Sequence, residues 1–258
     1  CLVSAGNGLP PRPPIPKEAE MALNFGPRRG EYIEIAETLQ GKEAPLPADE
    51  IAHFEEFDLI YRSLCALLYN YVPMSGHPGG SISSGRIVAG VIYDAMDYDL
   101  RDPERQDADI ISYAAGHKAL GLYAMWALRD EMARIANPGL LPQNERSRLR
   151  LEDLLGFRRN PKTSTPLFSR YRAKALDGHP TPATPFVRLS TGASGVGLAS
   201  SLGLALGARD YYGKNAPRVH IIEGEGGLTP GRVAESMAAA ATAGLDNVVL
   251  HVDWNQSS

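Results

Sequence analysis

Glu225 and Asn255 each sit just past a short apolar, β-branched run, and their side chains are of a type that binds hard cations. A carboxylate, a side-chain amide oxygen and a backbone carbonyl suit Mg²⁺ or Ca²⁺, and Mg²⁺ commonly completes such a shell with phosphate oxygens and water. Gly224, Gly226 and Gly227 surround the glutamate. A turn of this kind lets backbone N–H groups approach an anion, and a helix starting after it adds its positive end. These residues alone leave two readings open: a metal–diphosphate site, or two ordinary strand-end loops with a helix-capping acid. A glycine-rich turn by itself does not choose between them.

Two histidines join the list by position. His77 lies between Gly76 and Pro78-Gly79-Gly80, a stretch that resists regular structure. His117 follows Ile110–Tyr113 at a strand-to-helix junction, where anions bind. Their plain readings are a solvated loop histidine and a helix cap.

The elements that must position these groups can be read from periodicity. Val219–Glu223 and Asn247–Val252 are buried-strand patterns. The Ala-rich segment between them carries helix signals: Thr229 as cap, Pro230 as first helical residue and Gly244 as stop. Strand, crossover helix and strand of this length form a right-handed parallel βαβ unit. Both strands then end on one sheet edge, where open α/β sheets hold ligands. Ile110–Tyr113 is a further strand. Helices are expected over 49–71, 83–96, 118–135 and 196–211, with a basic helix around 144–157 whose arginines read as a solvated face. Gly203 and Gly207 share a face of the 196–211 helix and permit close helix or subunit contact. The Pro/Thr-rich stretch from Gly178 to Leu189 is a long loop of the kind that is commonly functional.

The order of motifs resembles the transketolase family. Gly224-Glu225-Gly226 and Asp253-Trp254-Asn255 are similar to the thiamine-diphosphate motif, Ser75-Gly76-His77-Pro78-Gly79-Gly80 to the SGHPG segment, and Gly116-His117 and Gly178-His179-Pro180 to two further histidine motifs. Thr191–Gly197 matches a TGxxGxG turn. The resemblance runs from about Ser75 to the end of the chain. It implies an α/β thiamine-diphosphate-binding fold, a mostly parallel sheet flanked by helices. It also implies thiamine diphosphate with Mg²⁺ (or Ca²⁺), and two-carbon ketol transfer between sugar phosphates. On this resemblance the metal ligands are Glu225, Asn255 and the Ser257 carbonyl. The cofactor contacts are His117, Gly192, Ser194, Gly224, Glu225, Gly226 and Asn255, and the catalytic residues are His77, His117 and His179.

Two departures stand out. Glu225 replaces the aspartate of the motif, moving the carboxylate by about one C–C bond, ~1.5 Å, against Mg²⁺–oxygen distances held near about 2.0–2.1 Å. Gln256 stands where the motif has glycine. The 258-residue sequence also closes three residues past Asn255, where the resemblance expects more of this domain and then a pyrimidine-binding domain. The expectation is that the chain alone is inactive, being one half of a split enzyme or part of a longer protein, and that it works as a homo- or hetero-oligomer, a dimer by analogy. The alternatives are a pyruvate dehydrogenase first-component-like protein and a non-catalytic relative.

Composition sets the frame. At 43% hydrophobic, residues 48–258 can form one substantial α/β domain. A net charge of −4 and a pI near 5.9 argue against a nucleic-acid binder. No apolar run is long enough to span a bilayer. Two cysteines give no disulfide framework, and Cys65, inside a helical apolar pattern, reads as a buried thiol of a cytoplasmic protein. An opening on Cys1 suggests processing or an incomplete start. Residues 1–47 form a proline-rich arm, with a short helix expected at 31–40.

Overall fold

The computed structural model describes residues 46–71, 76–163, 165–192 and 194–255. The arm up to residue 45 with its expected helix, and Ser75, Ala193, Gln256 and Ser257, lie outside the described residues. Three parallel strands form one sheet in the order β1 (Ile110–Tyr113), β2 (Val219–Gly224), β3 (Val248–Asp253). Register pairs Ile110 with Val219, and Val219 with Val248. β2 is buried along its whole length. That is the expected state of a central strand in a parallel sheet covered on both faces.

The two faces follow the period of two along each strand. Ile111, Tyr113 and Ile222 face one core, shared with α1 (Ala48–Tyr71), α3 (Gly85–Gly90) and α4 (Ala119–Ala136). Ile110, Ala114, Val219 and Ile221 face the other, under α6 (Val196–Tyr212) and α7 (Gly231–Thr242). α4 buries residues on every side, including Leu122, Tyr123, Met125 and Trp126, as a helix enclosed by core must. Trp126 stacks on Phe186 at 5.1 Å and meets Tyr98 edge-on at 5.7 Å. Such pairs add about 0.5–1.5 kcal/mol each beyond their burial.

Three local outcomes differ from the expectations, each for a visible reason. The helix expected over 83–96 begins earlier, as α2 (Pro78–Ser83), with Pro78 in the first turn where its missing N–H costs nothing. It breaks at Ser84, whose hydroxyl donates to the Gly80 carbonyl at 2.7 Å, and α3 runs on into a π turn at Val91–Ala95. The basic helix around 144–157 is replaced by two 3₁₀ turns, Glu145–Ser147 and Leu151–Gly156. There, buried carboxylates take the backbone donors an α-helix would use: Asp130 accepts from Leu149 N, and Asp153 from Arg150 N and Lys174 N. Its arginines also tie loops, Arg148 to the Pro142 carbonyl and Arg150 to that of Arg172. Finally, Pro230 and not Thr229 occupies the N-cap of α7, because Thr229 donates to the Gly226 carbonyl and closes a 3₁₀ turn, Glu225–Leu228.

Gly197 lets α6 approach β1: a Cβ there would lie 2.5 Å from Ala114 Cα. Gly203 and Gly207 meet nothing within 4 Å among the described residues, so the close helix contact expected of them is not formed there. α5 (Thr165–Tyr171) was not foreseen. Among the described residues, no helix is long and apolar enough to cross a membrane.

Candidate functional site

The carboxyl ends of β1, β2 and β3 release three loops on one edge: Ala114–His117, Gly224–Gly227 and Trp254-Asn255. Glu225 is only 9% exposed, and the backbone N–H of Asn255 donates towards its Oε2 at 3.4 Å. The two candidate ligands thus share one spot although they lie on different strands. The Asn255 amide nitrogen donates to Ser83 Oγ and to Asp253 Oδ2, both at 3.1 Å.

Asp253 is the centre of a buried polar knot. Its Oδ2 accepts from Lys118 Nζ and from Ser83 Oγ, each at 2.6 Å, as well as from Asn255. The Lys118 and Asp253 side chains are 2% and 6% exposed. Burying both charges costs several kcal/mol per ion and is tolerated only with close pairing of this kind. The lysine stem passes between two glycines: a Cβ on Gly80 would lie 2.9 Å from Lys118 Cε, and one on Gly224 3.2 Å from Nζ. Glu223, also buried, uses Oε1 to accept the Gly224 N–H at 2.9 Å, and its Oε2 has no hydrogen-bond partner among the described residues. Burial raises its carboxyl pKa, against the pull of Lys118.

The histidines gather on the same edge. His77 is the N-cap of α2, and its ring meets that of His117 edge-on, centroids 4.9 Å apart. His179 packs over two glycines: a Cβ on Gly116 would come within 2.6 Å of its Cδ2, and one on Gly192 within 2.8 Å. Tyr123 Oη donates to the Asp177 carbonyl at 3.0 Å and the His179 carbonyl at 3.3 Å, which fixes that loop against α4. Burial, then His77 and Lys118, lower the His117 pKa to about 4, with Asp253 opposing. The ring is therefore neutral near pH 7.

The turn before α6 is anchored at Thr191, whose hydroxyl donates to the Tyr113 carbonyl at 3.0 Å. Gly195 takes a left-handed φ of 76° and lies against Pro230 and Val233. Gly192 thereby joins the histidines, while Ser194 is exposed beside the start of α6. Glu225, Asn255, Gly224, Gly226, Gly192 and the three histidines are thus assembled. Ser257 lies outside the described residues. Lys118, Ser83 and Asp253 were not foreseen as site residues.

The donor set fits a hard divalent ion. Glu225, a buried carboxylate beside the strand-end Asn255, is of the kind that holds an ion whose remaining ligands come from phosphate and water.

No family model matches the chain. It is 34% identical over 182 residues to the transketolase of Pongo abelii and 33% over 182 residues to that of Homo sapiens, in each case 70% of this chain. It spans only 24% of the length of these relatives. It is 29% identical over 185 residues to one of the named subunits of the apulose-4-phosphate transketolase of Actinobacillus succinogenes, covering 71% of this chain and 56% of that one. Among solved structures, transketolases from Campylobacter jejuni (TM-score 0.58, 24% identity, 78% of this chain and 28% of that one) and Leishmania mexicana (0.57, 24%, 77% and 27%) share its fold. The resemblance to the transketolases therefore extends over the larger part of the chain, and its architecture is the thiamine-diphosphate-binding α/β fold.

Proposed function

We propose that this transketolase-related chain is the cofactor-holding part of a two-carbon ketol transferase acting on sugar phosphates. It would be completed by a pyrimidine-binding domain or by a partner subunit. The observation that carries the reading is the adjacency of Glu225 and Asn255, with three histidines on the same sheet edge. The Actinobacillus succinogenes relative is named as one subunit of a transketolase, which supports the split form.

When bound, thiamine diphosphate supplies carbanion chemistry that no side chain offers. The protein's share is positioning and proton handling. Glu225, Asn255 and, by position in the motif, the Ser257 carbonyl would hold the divalent cation, and backbone groups around Gly224 and Gly226 would approach the diphosphate. Gly192 and Ser194 would contribute backbone contacts to the aminopyrimidine. His117, neutral near pH 7, donates and accepts hydrogen bonds without adding a fixed charge. His77 and His179 would face the donor and acceptor oxygens of the sugar.

The test uses the assembled full-length protein. Calorimetry with thiamine diphosphate is expected to show heat only when Mg²⁺ or Ca²⁺ is present. A donor screen is expected to give turnover with xylulose 5-phosphate and none with pyruvate. Absence of metal-dependent binding, or preference for pyruvate, refutes the reading.

A further inference from the structure

Asp253 has a carboxylate at the candidate metal site, two residues before Asn255, and the simple expectation is that it coordinates the ion. Its bonding argues otherwise. Oδ2 already accepts from the Lys118 ammonium, the Ser83 hydroxyl and the Asn255 amide. An oxygen that is the focus of three donors, one of them cationic, is poorly placed to serve a second cation.

What the knot does instead follows from Asn255. An amide side chain can turn end over end, exchanging its oxygen and nitrogen, and only hydrogen bonds fix which way it sits. Here both bonds of the amide nitrogen are spoken for, by Ser83 and Asp253, neither of which offers a comparable pair of donors to an amide oxygen in that place. The single proton of the Ser83 hydroxyl has two acceptors, Asp253 Oδ2 at 2.6 Å and the Gly80 carbonyl at 3.4 Å, so towards the Asn255 amide nitrogen the hydroxyl accepts. The carboxylate in turn is charge-balanced by Lys118, whose stem occupies the space left by the missing Cβ atoms of Gly80 and Gly224.

We infer that Ser83, Lys118 and Asp253 form a positioning network that holds the Asn255 amide with its oxygen presented as a metal ligand, and that Asp253 is not itself a ligand. This rests on the proposed metal–diphosphate site. It extends that reading to residues on α2, at the start of α4 and on β3, none of which the motif comparison assigned. Lys118 also limits the negative charge at the edge, so that Glu225 is the carboxylate that meets the ion.

The experiment measures Mg²⁺ affinity calorimetrically in the full-length protein saturated with thiamine diphosphate, alongside the thermal midpoint of the unliganded protein. Ser83→Ala is expected to weaken Mg²⁺ binding about tenfold, and Asp253→Asn by about 10–100-fold, the range typical of residues that orient metal ligands. Ser83→Ala is expected to lower the unliganded midpoint only modestly, because Lys118 and Asn255 still donate to Asp253. In an Asn255→Ala background, Ser83→Ala should have no further effect on Mg²⁺ affinity, because it acts only through that amide. A merely structural serine would weaken binding in both backgrounds or in neither. If Asp253→Asn fails to fold, the Ser83 cycle alone decides. Wild-type affinity in Ser83→Ala, or an additive loss in the double variant, overturns the inference while leaving the site reading intact. A wild-type protein with no Mg²⁺-dependent binding would sink the site reading itself.

Discussion

The imidazole of His117 stands edge-on to that of His77 at an interplanar angle of 73°. A charge on the His77 ring would oppose protonation of His117. Together with burial, this contact holds His117 down to about 4. An NMR titration should show the ring C–H resonances of His117 flat between about pH 7.5 and 5.5, moving only below about pH 5. A midpoint near about 6.5, the ordinary histidine value, would contradict the buried arrangement.

The same shift has a stability consequence, shared with His251, which burial and its neighbour His220 also lower to about 4. Both folded values lie below the unfolded value of about 6.5, so between these limits the unfolded chain binds more protons. Stability therefore rises with pH from about 4 to 6.5 and is flat with respect to these groups above that window. Urea unfolding at pH 7 and pH 5 should show the loss at the lower pH, and replacing both rings by glutamine should reduce it.

The buried ion pair predicts a strong asymmetry between single and double substitutions. Lys118→Met or Asp253→Leu alone leaves one buried charge without its partner and should cost about 3–5 kcal/mol of unfolding free energy. The double Lys118→Met/Asp253→Leu should recover a large part of that. Additive losses in denaturant unfolding would mean the two side chains do not meet in solution.

Glycines at the site and away from it should respond in opposite directions. At Gly116 a Cβ would lie 2.5 Å from the Thr191 carbonyl oxygen and 2.6 Å from His179. Gly116→Ala should therefore cost about 1–3 kcal/mol, as overpacking does, and displace the His179 loop. Gly203, in mid-helix with nothing within 4 Å among the described residues, should gain about 0.5–1 kcal/mol on Gly203→Ala. Thermal unfolding of the two variants checks both signs.

Metal dependence gives the last prediction. A chelator should return the thermal midpoint of the cofactor-loaded protein to that of the unloaded one, because a ligand stabilises only while it is bound. Glu225→Ala should abolish the metal-dependent rise. Glu225→Asp should favour Mg²⁺ over Ca²⁺ more strongly than the native glutamate, since the narrower ion tolerates less slack. A rise in midpoint that survives chelation would point to binding without metal.

The strands were legible because β-branched runs leave little choice: β1 spans the expected residues, β2 runs one residue further, and β3 is displaced by one. The histidines were partly legible. His77 and His117 stand out by position, while His179 lies in an aperiodic loop held by the hydroxyl of Tyr123, whose periodicity marks a core face and not this long-range bond. The Lys118–Asp253 pair was hidden for a different reason. A lysine at a helix start reads as solvated, and its partner is 135 residues away. Only the two glycines flanking its path hint at it, and they lie in separate motifs. Ser84 and Asp153 misled the helix boundaries because local hydrogen-bond acceptors and donors compete with periodicity.

Tyr61 of α1 is fully buried, its hydroxyl bonded to the Ser81 carbonyl at 2.5 Å and its ring lodged where a Cβ on Gly85 would otherwise go. A six-residue segment such as α2 would fray within nanoseconds as an isolated peptide. Bolted to a 24-residue neighbour through that phenol, it should exchange its amide hydrogens on the timescale of α1, so that Ser83 inherits the lifetime of the long helix and not of the short one that carries it.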